Sequence, residues 1–203
     1  MDLFPSLNAI YATFFGTSPP TRACVAVDLP SFIRVKLDCF AYVETDSTSR
    51  SVLHVQGLSY WAPANIGPYS QAVLIDEHLF VSGQIGLVPA SLSLPSPQDP
   101  ATETALVFQH TERVVDAMRK SSGQWKGYTQ LAIYWLVGRG QATDIAAACG
   151  LSAAVSAILS AFRLNFHITP GKGHTDDIVG NIFSTQGRHD RKAGSPTYRA
   201  LHR

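Results

Sequence analysis

The sequence predicts an α+β fold: a mixed sheet with helices on one face. Three observations carry that prediction. First, Asp2–Phe15 and Thr102–Lys120 each place apolar residues at i, i+3 and i+4 spacing, which puts one apolar stripe on a helix. Second, Phe32–Glu44 and Gln130–Val137 alternate apolar and other residues, the period of a strand with one buried face. Third, Ser70–Ile75 and His78–Gly83 flank the short polar pair Asp76-Glu77, the pattern of a β-hairpin.

The first helix has Leu3, Phe4, Leu7, Ile10, Tyr11, Phe14 and Phe15 on its stripe. Asp2 is placed to cap it, and Gly16 followed by Pro19-Pro20 ends it. Ala23–Leu29 reads as a strand turned by Pro30-Ser31. Phe32–Glu44 then sets Ile33, Val35, Leu37, Cys39, Ala41 and Val43 on one side. The polar run at 45–52 reads as a linker. A second unit, 53–162, starts with a strand over Leu53–Leu58 and a loop broken by Pro63, Gly67 and Pro68. The hairpin follows, then a proline-rich surface loop over Leu87–Pro100. The helix over Thr102–Lys120 collects Leu106, Val107, His110, Val114, Ala117 and Met118. Gln130–Val137 is a strand, and Thr143 caps an Ala-rich helix reaching Phe162. In residues 163–203 the periodicity fades among glycines. Arg188, Arg191, Lys192, Arg199 and Arg203 face one acid, Asp190, and the expectation is a disordered basic tail.

Composition narrows the functions. Charged residues make up 15% and hydrophobic residues 45% of the 203, so the chain can bury a core. A net charge of +1 excludes an overall basic field built to hold nucleic acid. The three cysteines contain no CxxC pair, which argues against a disulfide scaffold or zinc ribbon and for a reducing compartment. No apolar run reads as a membrane span, and the start lacks the basic region of a signal peptide, so the expected location is cytoplasmic. His167, His174 and Asp176-Asp177 are the only local cluster of metal-ligating types, without the spacing of a ligand set, and no metal site is expected.

Two motifs are specific. Asn65-Ile-Gly-Pro-Tyr-Ser-Gln-Ala72 and Leu79-Phe-Val-Ser-Gly-Gln-Ile-Gly-Leu87 resemble, in order and spacing, the opening of the reactive intermediate (imine) deaminase, or Rid, family. The resemblance implies the Rid-like, chorismate-mutase-like arrangement of the α+β class. Asn8–Phe15, Pro20–Val27 and Val35–Ala41 resemble the closing half of the same family. That half precedes the opening half, so the chain reads as two incomplete repeats: 1–44 closes a first and 53–162 opens a second. Residues 2–44 could also complete the second unit's sheet as a circular permutation. The tandem, and the wording His54-Val-Gln-Gly-Leu-Ser-Tyr-Trp-Ala-Pro-Ala-Asn-Ile-Gly-Pro-Tyr69, resemble the C-terminal region of eukaryotic, in particular fungal, diphthine–ammonia ligases. For those enzymes the resemblance implies ATP and Mg, translation elongation factor two as the protein substrate, and an ATP-pyrophosphatase domain with an S-G-G-x-D-S loop. No such loop is present: Ser82-Gly-Gln and Ser122-Gly-Gln lack the Asp-Ser continuation. The chain is expected to carry no cofactor itself, and to form a homo-oligomer or complement an absent ATP domain.

The resemblance also nominates site residues, each with a plainer alternative. Arg22 matches the arginine that grips the substrate carboxylate, a task suited to its planar fork; the alternatives are a surface arginine or a partner for Asp38. Cys24, on the same strand face, matches a pocket-lining position or is a small buried hydrophobe. Asp38 stands where deaminases carry a glutamate thought to handle a water proton, and is one methylene shorter; the favoured alternative is a solvated carboxylate. Tyr69 either offers its hydroxyl or ring to a ligand or packs at a subunit interface. Gly83 either lets a ligand approach the backbone or turns a strand end. Asn8 either reaches a neighbouring pocket or is a polar residue on an exposed helix side. The resemblance leaves three functions open: a non-catalytic part of the ligase, a free-standing imine deaminase in which water attacks the imine carbon, and a small-carboxylate binding or scaffold module.

Overall fold

A computed structural model of the chain describes residues 3–27, 29–43, 50–123, 125–136, 165–168 and 180–187. Helix α1, Phe4–Phe15, forms where the apolar stripe predicts it. Pro5 sits in the first turn, where a missing N–H costs no helical bond, and Gly16 (φ +54°) follows the last turn. The expected cap Asp2 lies outside the described residues. The inner side of α1, including Phe4, Leu7, Asn8 and Tyr11, is half-buried, and no residue of the helix is fully buried.

Two expected strands, Ala23–Leu29 and Phe32–Glu44, do not form: the described residues of 19–43 are irregular. Alternation makes a strand only when a neighbour takes its N–H and C=O groups, and from residue 23 onward no strand pairs with this segment among the described residues. Its apolar side chains stay outside, with Phe32 83%, Phe40 92% and Val43 86% exposed.

One six-stranded sheet has the order β1-β2-β3-β6-β4-β5. Its strands are β1 (Arg50–Leu53), β2 (Ala72–Ile75), β3 (His78–Gln84), β4 (Gly127–Leu136), β5 (Asn165–Ile168) and β6 (Gly180–Gly187). All neighbours are antiparallel except β4 and β5, so the sheet is mixed. The hairpin β2–β3 closes with Ile75 opposite His78, and Asp76 takes φ +51°, a conformation Asp tolerates in turns. The first strand of this unit lies earlier than the expected Leu53–Leu58. At Val55 a side chain replaces a strand: Gln71 accepts from the Val55 N–H (2.8 Å) and donates to its carbonyl (2.9 Å).

The expectation of a wholly disordered tail beyond 163 is also corrected, because Asn165–Ile168 and Gly180–Gly187 are strands. The reason is pairing supplied from elsewhere. The outer edge of β3 and the edge of β4 present unpaired backbone groups, and β6 enters between them and satisfies both. The expected helix from Thr143 to Phe162 lies outside the described residues.

Helix α2, Pro100–Ser121, is the long helix the periodicity predicts. Asp99 caps it, accepting from the Thr102 N–H (2.9 Å), the Thr102 hydroxyl (2.7 Å) and the Ala101 N–H (3.4 Å). These bonds, the Thr102 hydroxyl foremost, hold the Asp99 carboxyl below its ordinary range. Arg119 and Lys120 complement the C-terminal dipole. The core lies between α2 and β1–β3: Ala72, Leu74, Leu79 and Val81 meet Val114 and Met118, with Leu53, Phe108, Val115 and Trp125 at its margin. Trp125 also donates its indole N–H to the Glu77 carbonyl (3.0 Å), tying the start of β4 to the hairpin turn. No described helix is long and apolar enough to cross a membrane.

Candidate functional site

The irregular segment after α1 is held against the open end of the hairpin by a short run of hydrogen bonds. The Ser70 hydroxyl donates to the Pro19 carbonyl (2.6 Å) and the Ser70 N–H to the Pro20 carbonyl (3.2 Å). The Arg22 N–H donates to Ser82 Oγ (2.9 Å), and the Gly83 N–H to the Arg22 carbonyl (3.2 Å). Ser82 Oγ in turn donates to the Ser70 carbonyl (2.5 Å). Ser70 and Ser82 are buried, so these bonds are shielded from competing water.

The Arg22 side chain is therefore fixed at its root. Its Nη2 donates to Asn8 Oδ1 at 2.7 Å. The rings of Tyr11, Phe4 and Tyr69 surround it, with centroids 4.7, 5.7 and 5.8 Å from the guanidinium carbon. Nη1 is buried and has no hydrogen-bond partner among the described residues. Gly67 closes the site from the loop side: a Cβ there would lie 2.8 Å from Arg22 Nη2 and 3.2 Å from Asn8 Nδ2. Tyr69 also lines a small cavity with Pro63, Ile66, Gln71, Gly83 and Ile85. Burial pushes the Tyr69 hydroxyl up, while the Ile66 N–H and Arg22 pull it partly back. Burial likewise raises Tyr11, against the pull of Arg22.

A second network positions the loop that carries Gly67 and Tyr69. Asn65 Nδ2 donates to the carbonyls of Gly67 (3.0 Å) and Tyr69 (3.3 Å) and faces His54 Nε2 at 3.1 Å. His54 Nδ1 lies 3.3 Å from Ser70 Oγ, whose own proton goes to Pro19. Because Ser70 Oγ gives its proton to Pro19, His54 must donate from Nδ1 and accept at Nε2, and the two Asn65 amide protons are shared among three acceptors. Sequence reasoning did not single out Asn65, His54, Ser70 and Ser82 individually. Their only signal was that they lie within the quoted motifs.

Of the six nominated residues, the structure brings Asn8, Arg22, Tyr69 and Gly83 together within one chain. The Gly83 N–H is already engaged by the Arg22 carbonyl. Cys24 is half-buried and a free thiol. Asp38 is exposed and pairs with Lys36 (3.5 Å), while Arg22 takes Asn8 as its partner. The site offers a fixed, partly unsatisfied guanidinium with aromatic walls, suited to a planar anion. The hydroxyls of Ser70 and Ser82 both donate to backbone carbonyls and are buried, so neither is free to act as a nucleophile. Among the described residues no group of His, Cys, Asp and Glu is arranged to hold a metal ion.

Residues 60–124 match the family model described as Endoribonuclease L-PSP, the Rid family. This stretch is similar to that family, over about a third of the chain. The chain is 46% identical over 123 residues to the diphthine–ammonia ligase of Schizosaccharomyces pombe, covering 60% of this chain and 20% of that protein. It is 38% identical over 134 residues to the Saccharomyces cerevisiae ligase, covering 58% of this chain and 19% of that protein. The chain thus spans about a fifth of the length of the ligases it matches. The 2-iminobutanoate/2-iminopropanoate deaminase of Capra hircus is 67% identical over 30 residues, 15% of this chain and 22% of that protein. Among solved structures, Escherichia coli TdcF aligns with TM-score 0.48 and 19% identity, over 68% of this chain and 99% of that one.

The matched stretch contributes Gly67, Tyr69, Ser70, Ser82 and Gly83 to the site, while Asn8 and Arg22 come from residues before it. The likeness to the S. pombe ligase is longer than that stretch itself, so it takes in chain outside 60–124.

Proposed function

We propose that this chain is the Rid-like, ligand-positioning part of a diphthine–ammonia ligase. The observation that carries this reading is the extent of the likeness: 46% identity over 123 residues to a ligase, against a 30-residue match to a deaminase. In the whole enzyme, ATP with Mg would activate the diphthine carboxylate on translation elongation factor two, and ammonia would displace the leaving group. The ATP-binding residues would belong to another part of that enzyme. The role of this part is to hold a small carboxylate on Arg22, in a cytoplasmic and homo-oligomeric assembly. The charge-assisted fork, the unpartnered buried Nη1 and the aromatic walls support a carboxylate ligand.

The test is a chimera in fission yeast: the matched region of its ligase is replaced by this chain, and diphthamide on elongation factor two is read by mass spectrometry. The expected result is diphthamide with the wild-type chimera and at least a tenfold loss with Arg22→Ala, at equal protein level. A ligase that works equally well with the region deleted overturns the reading. The imine deaminase alternative keeps one specific support, the 67% identical stretch. Ammonia release from 2-iminobutanoate by this chain, lost in Arg22→Ala, would favour it instead.

A further inference from the structure

Arg22 already holds a ligand in this structure, and that ligand belongs to the chain itself. The guanidinium donates to the Asn8 amide oxygen and is flanked by Phe4 and Tyr11. These three residues stand at i, i+4 and i+7, so they form one face of α1, and all three meet the Arg22 guanidinium. A carboxamide presents to a guanidinium an sp² oxygen much like that of a carboxylate. It offers one oxygen where a carboxylate offers two, and it carries no charge. The mismatch is visible: Nη2 is satisfied, while Nη1 is buried and bare among the described residues. The helix that delivers Asn8 is lightly anchored. It buries no residue, and Ile10 and Phe14 on its outer side are 62% and 75% exposed. Gly67 lets it seat, because any Cβ at that position would intrude on the Arg22–Asn8 pair.

We propose that α1 is a lid that closes the Arg22 site with Asn8 as an internal mimic of a carboxylate, and that a small carboxylate opens it by taking both guanidinium donors. The inference rests on the carboxylate reading of Arg22 given above and adds its regulation. It assigns Asn8 a role opposite to that of a ligand contact: Asn8 competes with the ligand instead of helping to hold it.

Isothermal titration of the 203-residue chain with 2-oxobutanoate tests the lid. Asn8→Ala is expected to bind about tenfold more tightly than wild type, because a competitor worth about 1.4 kcal/mol is removed. Asn8→Asp, which supplies a tethered carboxylate, is expected to bind at least tenfold more weakly. Hydrogen exchange gives a second readout: the ligand is expected to accelerate exchange in residues 4–15 and leave 100–121 unchanged. Equal or weaker binding by Asn8→Ala, with binding still lost in Arg22→Ala, overturns the lid alone. Ligand-induced protection of residues 4–15 overturns it too. If neither wild type nor Asn8→Ala binds, the carboxylate reading itself fails, and the lid falls with it.

Discussion

Ser82 is the residue through which the hairpin positions Arg22, and its removal has a calculable cost. The Ser82 side chain is 1% exposed; its Oγ accepts from the Arg22 N–H (2.9 Å) and donates to the Ser70 carbonyl (2.5 Å). Ser82→Ala removes both bonds at a buried position. Each backbone group left without its partner costs about 1–3 kcal/mol, nearer the lower figure for the half-buried Arg22. The expected loss is about 3 kcal/mol, which for a chain of this size lowers Tm by about 6–12 °C. The loss is also local. The N–H groups of Ser70 and Gly83, which donate to Pro20 and Arg22, are expected to exchange faster, whereas Leu79 inside the hairpin is not. Thermal unfolding and residue-resolved hydrogen exchange check both parts. A Tm change below about 2 °C, or unchanged exchange at Ser70 and Gly83, refutes the claim that this network holds Arg22 in place.

Two further outcomes follow from α2. His110 is fully buried and donates from Nε2 to the Leu87 carbonyl (2.8 Å), while Nδ1 is buried without a partner among the described residues. Burial pushes its pKa down, with the Leu87 carbonyl pulling partly back. The unfolded chain therefore binds a proton here before the folded one does. The contribution to stability is complete above about pH 6.5 and is lost as pH falls through the lower folded value. Tm measured from pH 8 to 5 is expected to fall less steeply in His110→Gln than in wild type, and parallel profiles would refute this. Gly86→Ala places a Cβ 2.5 Å from the Glu103 carbonyl oxygen and 2.7 Å from its Cα. Both are helix backbone and cannot swing aside, so α2 must shift, at a cost of about 1–3 kcal/mol in urea unfolding.

Residues whose neighbours along the chain decide their structure were legible in the sequence. The α2 stripe and the Asp76-Glu77 turn are local patterns, and both elements stand close to where they were expected. The strands at 23–29 and 32–44 failed for the complementary reason. Their alternation shows how they would sit in a sheet, but supplies no partner, and Phe32, Phe40 and Val43 remain exposed. The strand at Gly180–Gly187 was missed because it is polar, bounded by glycines, and paired only by distant β3 and β4. Within the site, Asn8, Arg22, Tyr69 and Gly83 were legible through family motifs. The Asn65–His54–Ser70 network and Ser82 were not, since a serine or histidine shows no hydrogen-bond partner in a linear sequence.

What the sequence alone determined is the class of the fold, its long helix and its hairpin. Periodicity and turn chemistry act over a few residues and need nothing else. Only the tertiary structure decided which strands find partners and which apolar residues stay outside. It alone showed that Arg22 is pinned by Ser82 and occupied by Asn8. Those outcomes depend on backbone and side-chain groups far apart in the chain meeting at hydrogen-bond distance, and burial from water gives such meetings their weight.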